Sequence, residues 1–449
     1  MNIKNLNRVH FIGIGGIGMS GLAEYFQKKG MTVSGSDKEK SEITDRLEKS
    51  GIKIDSPHSE NNITEDIELV IYTSAVNNEN PELKKAIELN IPVVKRAKLL
   101  ANIVNERYLI AVCGTHGKTT TSSLLSKIFI DANTDPILFV GGSLGFLGNS
   151  SFRSGDGKFS IAEADEYDRS FLTLNPDLII INNIDFDHSD IYKDLDEFKK
   201  GFSDFLKNLK KDGKIIANSG DENVKDVLKG IDNIIWFGLN ENDNYKISDF
   251  KDSLRKSSFN VNGKNYEFPL HGIHNVHNAT AAIAASLECG LNYDSIYNSV
   301  ATFDGVKRRM ELKYDKDFTV FDDYAHHPKE VMPTLQAFKK ISEGRVVTVF
   351  QPHLYSRTKD FYNEFAESLD ISDEIYLAKL YPARETQVDG VSSELILQNL
   401  KNKNSKYISN DDELLSDLIK NIRKNDTVVF MGAGSISSMC DKFIREYLK

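Results

Sequence analysis

From Tyr108 to Ser126 the chain reads Tyr-Leu-Ile-Ala-Val-Cys-Gly-Thr-His-Gly-Lys-Thr-Thr-Thr-Ser-Ser-Leu-Leu-Ser. An apolar run (Leu109 to Val112) breaks at Gly114 and resolves into Gly117-Lys118-Thr119, and a helix-period stretch (Leu124, Leu125, Ile128, Phe129) follows. Strand, glycine loop, Lys-Thr and helix is an order that cradles phosphates. Glycine lets backbone amides turn toward the anion, Lys118 reaches the outer phosphates, and the Thr119 hydroxyl faces Mg²⁺. Gly114, Thr115, His116, Gly117, Lys118, Thr119 and Thr120 are therefore the expected nucleotide-phosphate residues. There is one departure: the general motif has its first glycine where this chain has Val112.

A second loop, Gly13-Ile14-Gly15-Gly16-Ile17-Gly18, fits G-x-G-x-x-G between an apolar run and a helical pattern, with Asp37 about 20 residues on. Taken alone it reads as a dinucleotide site with Asp37 near a ribose. What such a loop recognises is a diphosphate, so a UDP-sugar satisfies the same physics. A dehydrogenase would not need the second phosphate loop, which weakens the nicotinamide reading.

Four carboxylates crowd the segment after Ile161: Glu163, Asp165, Glu166 and Asp168. A charge run is usually a solvated loop, but directly after a strand of a phosphate-loop domain one carboxylate commonly faces Mg²⁺. The next strand ends in Asn182 to His188, where the imidazole is either a metal ligand or a structural hydrogen bonder. His271 to Asn278 opens an Ala-rich helix and is either a set of caps or a ligand contact. Asp322 to Pro328 and Gln351 to Thr358 each end a predicted strand, on the edge where α/β sheets hold ligands. The histidine spacings match no usual zinc set.

These residues need rigid elements to position them. Val9–Ile14, Met31–Ser34 and Leu69–Tyr72 read as strands and Ser20–Lys29 as a helix, a βαβ pattern with a parallel sheet. Polar Ala101–Arg107 is the expected boundary. Beyond it, Phe159–Ala162, Leu178–Asn182, Ile215–Ala217 and Ile234–Phe237 read as strands, and Asp196–Lys210 and Asn275–Leu287 as helices. From Arg308 on, Phe318–Phe321, Arg345–Phe350, Glu374–Leu377 and Thr427–Met431 form a third strand set. With 449 residues, 40% hydrophobic and 27% charged, the chain reads as a multidomain globular protein. A net charge of -10 argues against nucleic-acid and anionic-membrane partners, so polyanionic ligands must be met by locally gathered cations. Three scattered cysteines, no membrane-length apolar stretch and a glycine-broken N-terminus predict a cytoplasmic protein with free thiols.

Together these segments resemble the Mur ligase family. The likeness is carried by His10–Gly21, Gly114–Thr119, Ala162–Glu166, Asn182–His188, His271–Asn278, Gly305–Arg309, Asp322–Pro328 and Gln351–Thr358, in family order. It implies an α/β fold of three domains. These are a Rossmann-like UDP-sugar-binding domain (1–106), a central P-loop ATPase domain (107–307) and a Rossmann-like C-terminal ligand-binding domain (308–449). It also implies a reaction of peptidoglycan synthesis with ATP as co-substrate and Mg²⁺ as cofactor. The lactyl carboxylate of UDP-N-acetylmuramate is phosphorylated by ATP, and the amine of L-alanine displaces phosphate from the acyl phosphate.

Lys118, His326, Arg308 and Arg309 are the expected catalytic residues; the proton of the incoming amine goes to His326, to His327, to metal-bound water or to phosphate itself, a choice that stays open. Carried over by position, the resemblance places Asn275, Asn278, Asp323 and His326 on ATP beside the phosphate loop. Gly15, Gly16, Ile17, Gly18, Asp37, Ser74 and His188 fall on the UDP-sugar, and His353, Arg357 and Arg384 on the amino-acid side. Thr119, Glu163 and His188 are the implied metal residues, with Glu166 the alternative to Glu163. Other members carry a modified lysine for a second metal; by spacing that place is Phe202 here. Monomer and homodimer both stay open. Competing readings are a ligase for another amino acid or peptide, a nicotinamide dehydrogenase, and a nucleotide-gated regulatory protein.

Overall fold

The computed structural model describes residues 6–73, 75–186, 191–253, 256–383 and 385–448. The N-terminal elements are β1 (Arg8–Ile12), α1 (Ile17–Lys28), β2 (Thr32–Ser36), α2 (Glu42–Lys49), β3 (Lys53–Asp55), β4 (Leu69–Tyr72), α3 (Pro81–Glu88), β5 (Val93–Lys95) and α4 (Arg96–Val104). Their sheet has the order β3-β2-β1-β4-β5 with every pairing parallel. The strand predicted to reach Ile14 stops at Ile12 because Gly13, at φ +80°, turns the chain out of the sheet. The segment Ala101–Arg107 is not a polar linker. Its first half finishes α4 and buries Ala101, Ile103 and Val104, leaving only the exit turn polar.

The central elements are β6 (Tyr108–Cys113), α5 (Lys118–Asp131), β7 (Ile137–Leu144), β8 (Ser150–Arg153), β9 (Phe159–Glu163), β10 (Leu178–Ile181), α6 (Leu195–Leu206), β11 (Lys214–Asn218), α7 (Glu222–Val227), β12 (Ile234–Gly238), β13 (Tyr245–Ser253), β14 (Lys256–Val261), β15 (Lys264–Phe268), α8 (Ile273–Glu288) and α9 (Tyr293–Ala301). β6 lies between β10 and β9, parallel to both, and is buried from Leu109 to Cys113. A strand covered on both faces needs an unbroken apolar run, which Leu-Ile-Ala-Val-Cys supplies. Helix α5 inverts the usual pattern: Thr120, Thr121, Ser122, Ser123 and Ser126 are all buried. Small side chains permit close packing there, and Ser122 and Ser126 donate to the carbonyls of Thr119 and Ser122.

The C-terminal elements are β16 (Glu311–Asp315), β17 (Thr319–Asp323), α10 (Pro328–Ile341), β18 (Val346–Phe350), α11 (Tyr355–Leu369), β19 (Glu374–Leu377), α12 (Ser393–Leu397), β20 (Ser405–Tyr407), α13 (Asp411–Asn421), β21 (Thr427–Met431) and α14 (Ile436–Tyr447). The sheet order is β16-β17-β21-β18-β19-β20, parallel except for β16. The chain thus carries three α/β sheets. It forms two compact units: Met1–Ser248 with Val261–Lys264 and His277–Phe303, and Asp249–Asn260 with Asn265–Val276 and Asp304–Lys449. Among the described residues, no helix is long and apolar enough to cross a membrane. Cys113, Cys289 and Cys440 are free.

Candidate active site

The loop between β6 and α5 turns on two glycines in left-handed conformations, Gly114 at φ +130° and Gly117 at φ +79°. Gly114 replaces the glycine missing at Val112, which stays in the strand and pairs with Ile180 and Glu163. A Cβ on Gly117 would overlap the Asn278 side-chain amide, so the loop lies directly on α8. The strand end after β10 clamps the loop. Asn183 accepts from the Thr115 amide at 3.2 Å through its carbonyl and from the His116 amide at 2.8 Å through Oδ1. Thr115 Oγ1 donates to the carbonyl of Asp185 at 2.8 Å and accepts from its amide at 2.9 Å. Thr120 is buried in the first turn of α5.

Lys118 Nζ donates to the carbonyls of Gly114 and Thr115, at 2.6 and 3.1 Å, and to both oxygens of the fully buried Glu166, at 2.8 and 2.9 Å. Burial alone would lower the pKa of the ammonium, but the charges of Glu166 and Asp165 overcome it and the net shift is upward. Glu163 faces the other way. It accepts from Thr119 Oγ1 at 3.2 Å, Ser122 Oγ at 3.0 Å and the Gly141 amide at 2.5 Å. Burial raises the pKa of its carboxyl against those bonds. The two glutamates thus have separate partners: Glu163 the hydroxyl of the cradle, Glu166 the ammonium.

In the first sheet, β1 and β4 are neighbours at the reversal of strand order, where ligands of open α/β sheets enter. The loop after β1 and Thr73 after β4 line a cavity of about 320 Å³, together with Arg96, Phe139, Gly141, Glu163 and Asp165. The glycine loop and the carboxylate of the phosphate cradle therefore share one cavity within one compact unit. Helix α1 is docked there on the β7–β8 hairpin. Gly21 admits Phe152 at 2.9 Å from where a Cβ would lie, and Ser151 Oγ donates to the Ile17 carbonyl at 3.0 Å. Asp37 Oδ2 accepts from the Gly15 amide at 2.7 Å and holds the loop.

In the second unit, Asp323 ends β17 and accepts from the amides of Met310 and Ala325, both at 2.7 Å. Burial pushes its carboxyl up to about 6 despite the Arg309 charge. Arg308, at φ +61°, donates to the Gly432 carbonyl at 2.6 Å and lies 4.8 Å over the Tyr324 ring, with Arg309 at 5.2 Å from the same ring. His326 Nδ1 is 3.0 Å from the Tyr324 carbonyl and 3.1 Å from Glu330 Oε2. A proton on Nδ1 satisfies both acceptors and leaves the Nε2 lone pair without a partner among the described residues. His327 is buried instead, capping α10 and packed on Phe361 at 4.8 Å. His353 stacks on Tyr381 at 5.8 Å, approaches Arg357 at 3.4 Å and lies 5.9 Å from the His326 ring. Asn275 Nδ2 donates back to the His271 carbonyl at 2.8 Å. Ser74, His188 and Arg384 lie outside the described residues.

Residues 8–108 match the catalytic domain of the Mur ligase family, 112–286 the Mur ligase middle domain, and 308–434 the Mur ligase glutamate ligase domain. The chain belongs to the Mur ligase family. Two relatives named UDP-N-acetylmuramate–L-alanine ligase come from Clostridium tetani and Acetivibrio thermocellus. They are 42% and 40% identical to this Mur ligase over 99% of its length, and 99% and 97% of theirs. A solved UDP-N-acetylmuramate–alanine ligase from Thermotoga maritima is similar at TM-score 0.84 and 29% identity, covering 98% of this chain and 99% of that one. A murein peptide ligase from Psychrobacter arcticus, 23% identical with TM-score 0.71 over 98% of each chain, shares the fold.

In this Mur ligase Phe202 is buried in an aromatic cluster, 5.5 Å from Phe171 and 5.3 Å from Phe198. A lysine there would put an ammonium into hydrocarbon. Among the described residues no three His, Cys, Asp or Glu side chains gather to hold a metal unaided. Thr119 and Glu163 offer hard oxygens and a half-buried carboxylate, which suits an ion that completes its shell with phosphates and water, as Mg²⁺ does. The sequence reading missed Asn183, Ser122 and Arg96. Asn183 follows from the pairing of β6 with β10, Ser122 from its place three residues beyond Thr119 on α5, and no local motif marks Arg96.

Proposed function

We propose that this Mur ligase joins the lactyl carboxylate of UDP-N-acetylmuramate to L-alanine, with ATP as co-substrate. The observation that carries the reading is the shared cavity, in which the glycine loop for a diphosphate and Glu163 of the phosphate cradle line the same walls. The substrate named by the 42% identical relative has the matching layout, a uridine diphosphate at one end and a carboxylate to activate at the other.

A carboxylate and an ammonium do not condense in water, so the acid needs a leaving group. Phosphoryl transfer to an anion requires converging positive charge. Lys118 supplies it when the phosphates take the place of Glu166, and the loop amides and the start of α5 add theirs. Bound at Thr119 and Glu163, Mg²⁺ would neutralise phosphate charge. His326 is the proposed proton acceptor for the incoming ammonium, because its Nδ1 is engaged and Nε2 is not; His327, as a buried cap, is not. Asp323 shapes the loop it closes, and Arg308 braces the 432–434 turn on the same sheet edge. His353, Arg357 and Arg384 remain the proposed amino-acid side, Asn275 and Asn278 the adenine side, and Ser74 and His188 part of the UDP-sugar and metal surroundings. The division at 106/107 and 307/308 is the proposed domain scheme.

Phosphate release is measured with ATP alone, with UDP-N-acetylmuramate added, and with L-alanine added last. Ligation requires release that depends on all three. Hydrolysis without the amino acid is the behaviour of a nucleotide switch and removes the proposal.

A further inference from the structure

The cavity shared by the glycine loop and Glu163 is lined by charges of both signs. Its lining includes Glu163 and Asp165 together with Gly16, Ile17, Gly18 and Arg96, and Arg96 also lines a smaller pocket with Asp165. Arg96 is the first residue of α4, is half-buried, and packs so closely on the loop that a Cβ at Gly18 would overlap its guanidinium. Its neighbour Lys95 is neutralised by Asp168 at 3.0 Å. Arg96 has no ion pair and no side-chain hydrogen bond with any described residue, although two carboxylates line the same cavity. A guanidinium taken partly out of water and given no anion by its own protein is a cation kept for a ligand.

We infer that Arg96 is the residue that receives the diphosphate of the UDP-sugar over the Gly16–Gly18 loop. The inference rests on the proposed substrate. The loop backbone alone offers amides, which hold an anion but carry no full charge. Arg96 adds a planar fork of donors matched to phosphate oxygens. It also fixes direction. With the diphosphate held at the Arg96 end, the sugar and its carboxylate extend along the cavity toward Glu163 and the phosphate cradle, the only end at which activation makes chemical sense. In the reverse pose the diphosphate would face Glu163. The glycine at position 18 then has a second purpose besides the turn: it leaves room for the guanidinium to lie on the backbone.

The test compares the parent with Arg96→Ala and Arg96→Lys by calorimetric titration of UDP and of uridine, alongside steady-state KM for UDP-N-acetylmuramate and for ATP. Arg96→Ala weakens UDP by about ten- to a hundred-fold, as loss of a charge-assisted phosphate contact does. Uridine binding and KM for ATP stay within about twofold, and thermal melting is unchanged. Arg96→Lys falls between, because it keeps the charge and loses the fork. UDP affinity in Arg96→Ala equal to that of the parent overturns the assignment alone. A parent that binds no UDP overturns the substrate reading, and the assignment with it.

Discussion

Lys118 and Glu166 form a buried ion pair in which the ammonium is 14% and the carboxylate 0% exposed. Removing one member of such a pair strands the other, while removing both is often close to neutral. Glu166→Gln should therefore cost roughly 3 kcal/mol of stability without nucleotide. ATP should restore more of it than it adds to the parent, since phosphate replaces the lost anion. Lys118→Ala should cost turnover about a hundred-fold or more, the loss of roughly 3 kcal/mol of transition-state stabilisation. The double variant Lys118→Ala/Glu166→Gln separates the two effects: stability near the parent, turnover as poor as Lys118→Ala. Melting temperatures with and without ATP, together with phosphate release, measure both. Equal ATP stabilisation of Glu166→Gln and the parent would mean that the lysine does not exchange partners. The same pair shows what a sequence can carry. Lys118 and Thr119 were legible because strand, loop and helix are contiguous. Which of Glu163 and Glu166 faces the hydroxyl was not, because the choice depends on how the chain turns after β9.

At the scale of elements, the ends of β6, β9 and β10 converge on the cradle, and those of β17, β18 and β21 on Asp323, Gln351 and Gly432. Apolar runs bounded by glycine made these strands readable. The ends of the helices were harder: α1 begins earlier than predicted, at Ile17, because its cap is Gly16 and no side chain marks the start. His326 and His327 are adjacent in sequence, and only the start of α10 at Pro328 makes His327 the cap and leaves His326 as the proposed base. Asp323 at the end of β17 gives the second unit a pH signature. Its folded pKa of about 6 lies above the ordinary 3.8, so the proton is bound more tightly in the folded chain. Its contribution to stability is full below 3.8 and is lost as pH rises through about 6. Denaturant melts of the parent and Asp323→Asn at intervals across that window should show the parent losing stability relative to the variant as pH rises. Parallel curves would mean that Asp323 titrates as in the unfolded chain.

For the molecule as a whole, a net charge of -10 sets a repulsive far field for anionic substrates, and the binding residues must overcome it locally. The proposed cations both lie within the first compact unit, Lys118 in the phosphate cradle at the start of α5 and Arg96 on α4 beside the Gly13–Gly18 loop. Composition announced the need for such cations. It could not say that Arg96 meets Gly18, since nothing in the sequence ties the start of α4 to the loop after β1. The strand order β2-β1-β4-β5 creates that meeting by laying the ends of β1 and β5 on one sheet edge. UDP alone should therefore order only the first unit. Hydrogen exchange in its presence should slow at the loop after β1, the start of α1, Ser36–Asp37 and the first turn of α4, because a ligand that binds the closed form lowers the population of local openings. Residues 304–449 should exchange as they do without ligand. Protection extending through that segment with UDP alone would show that the uridine diphosphate draws on residues outside the cavity, and the Arg96 end would no longer be its sole anchor.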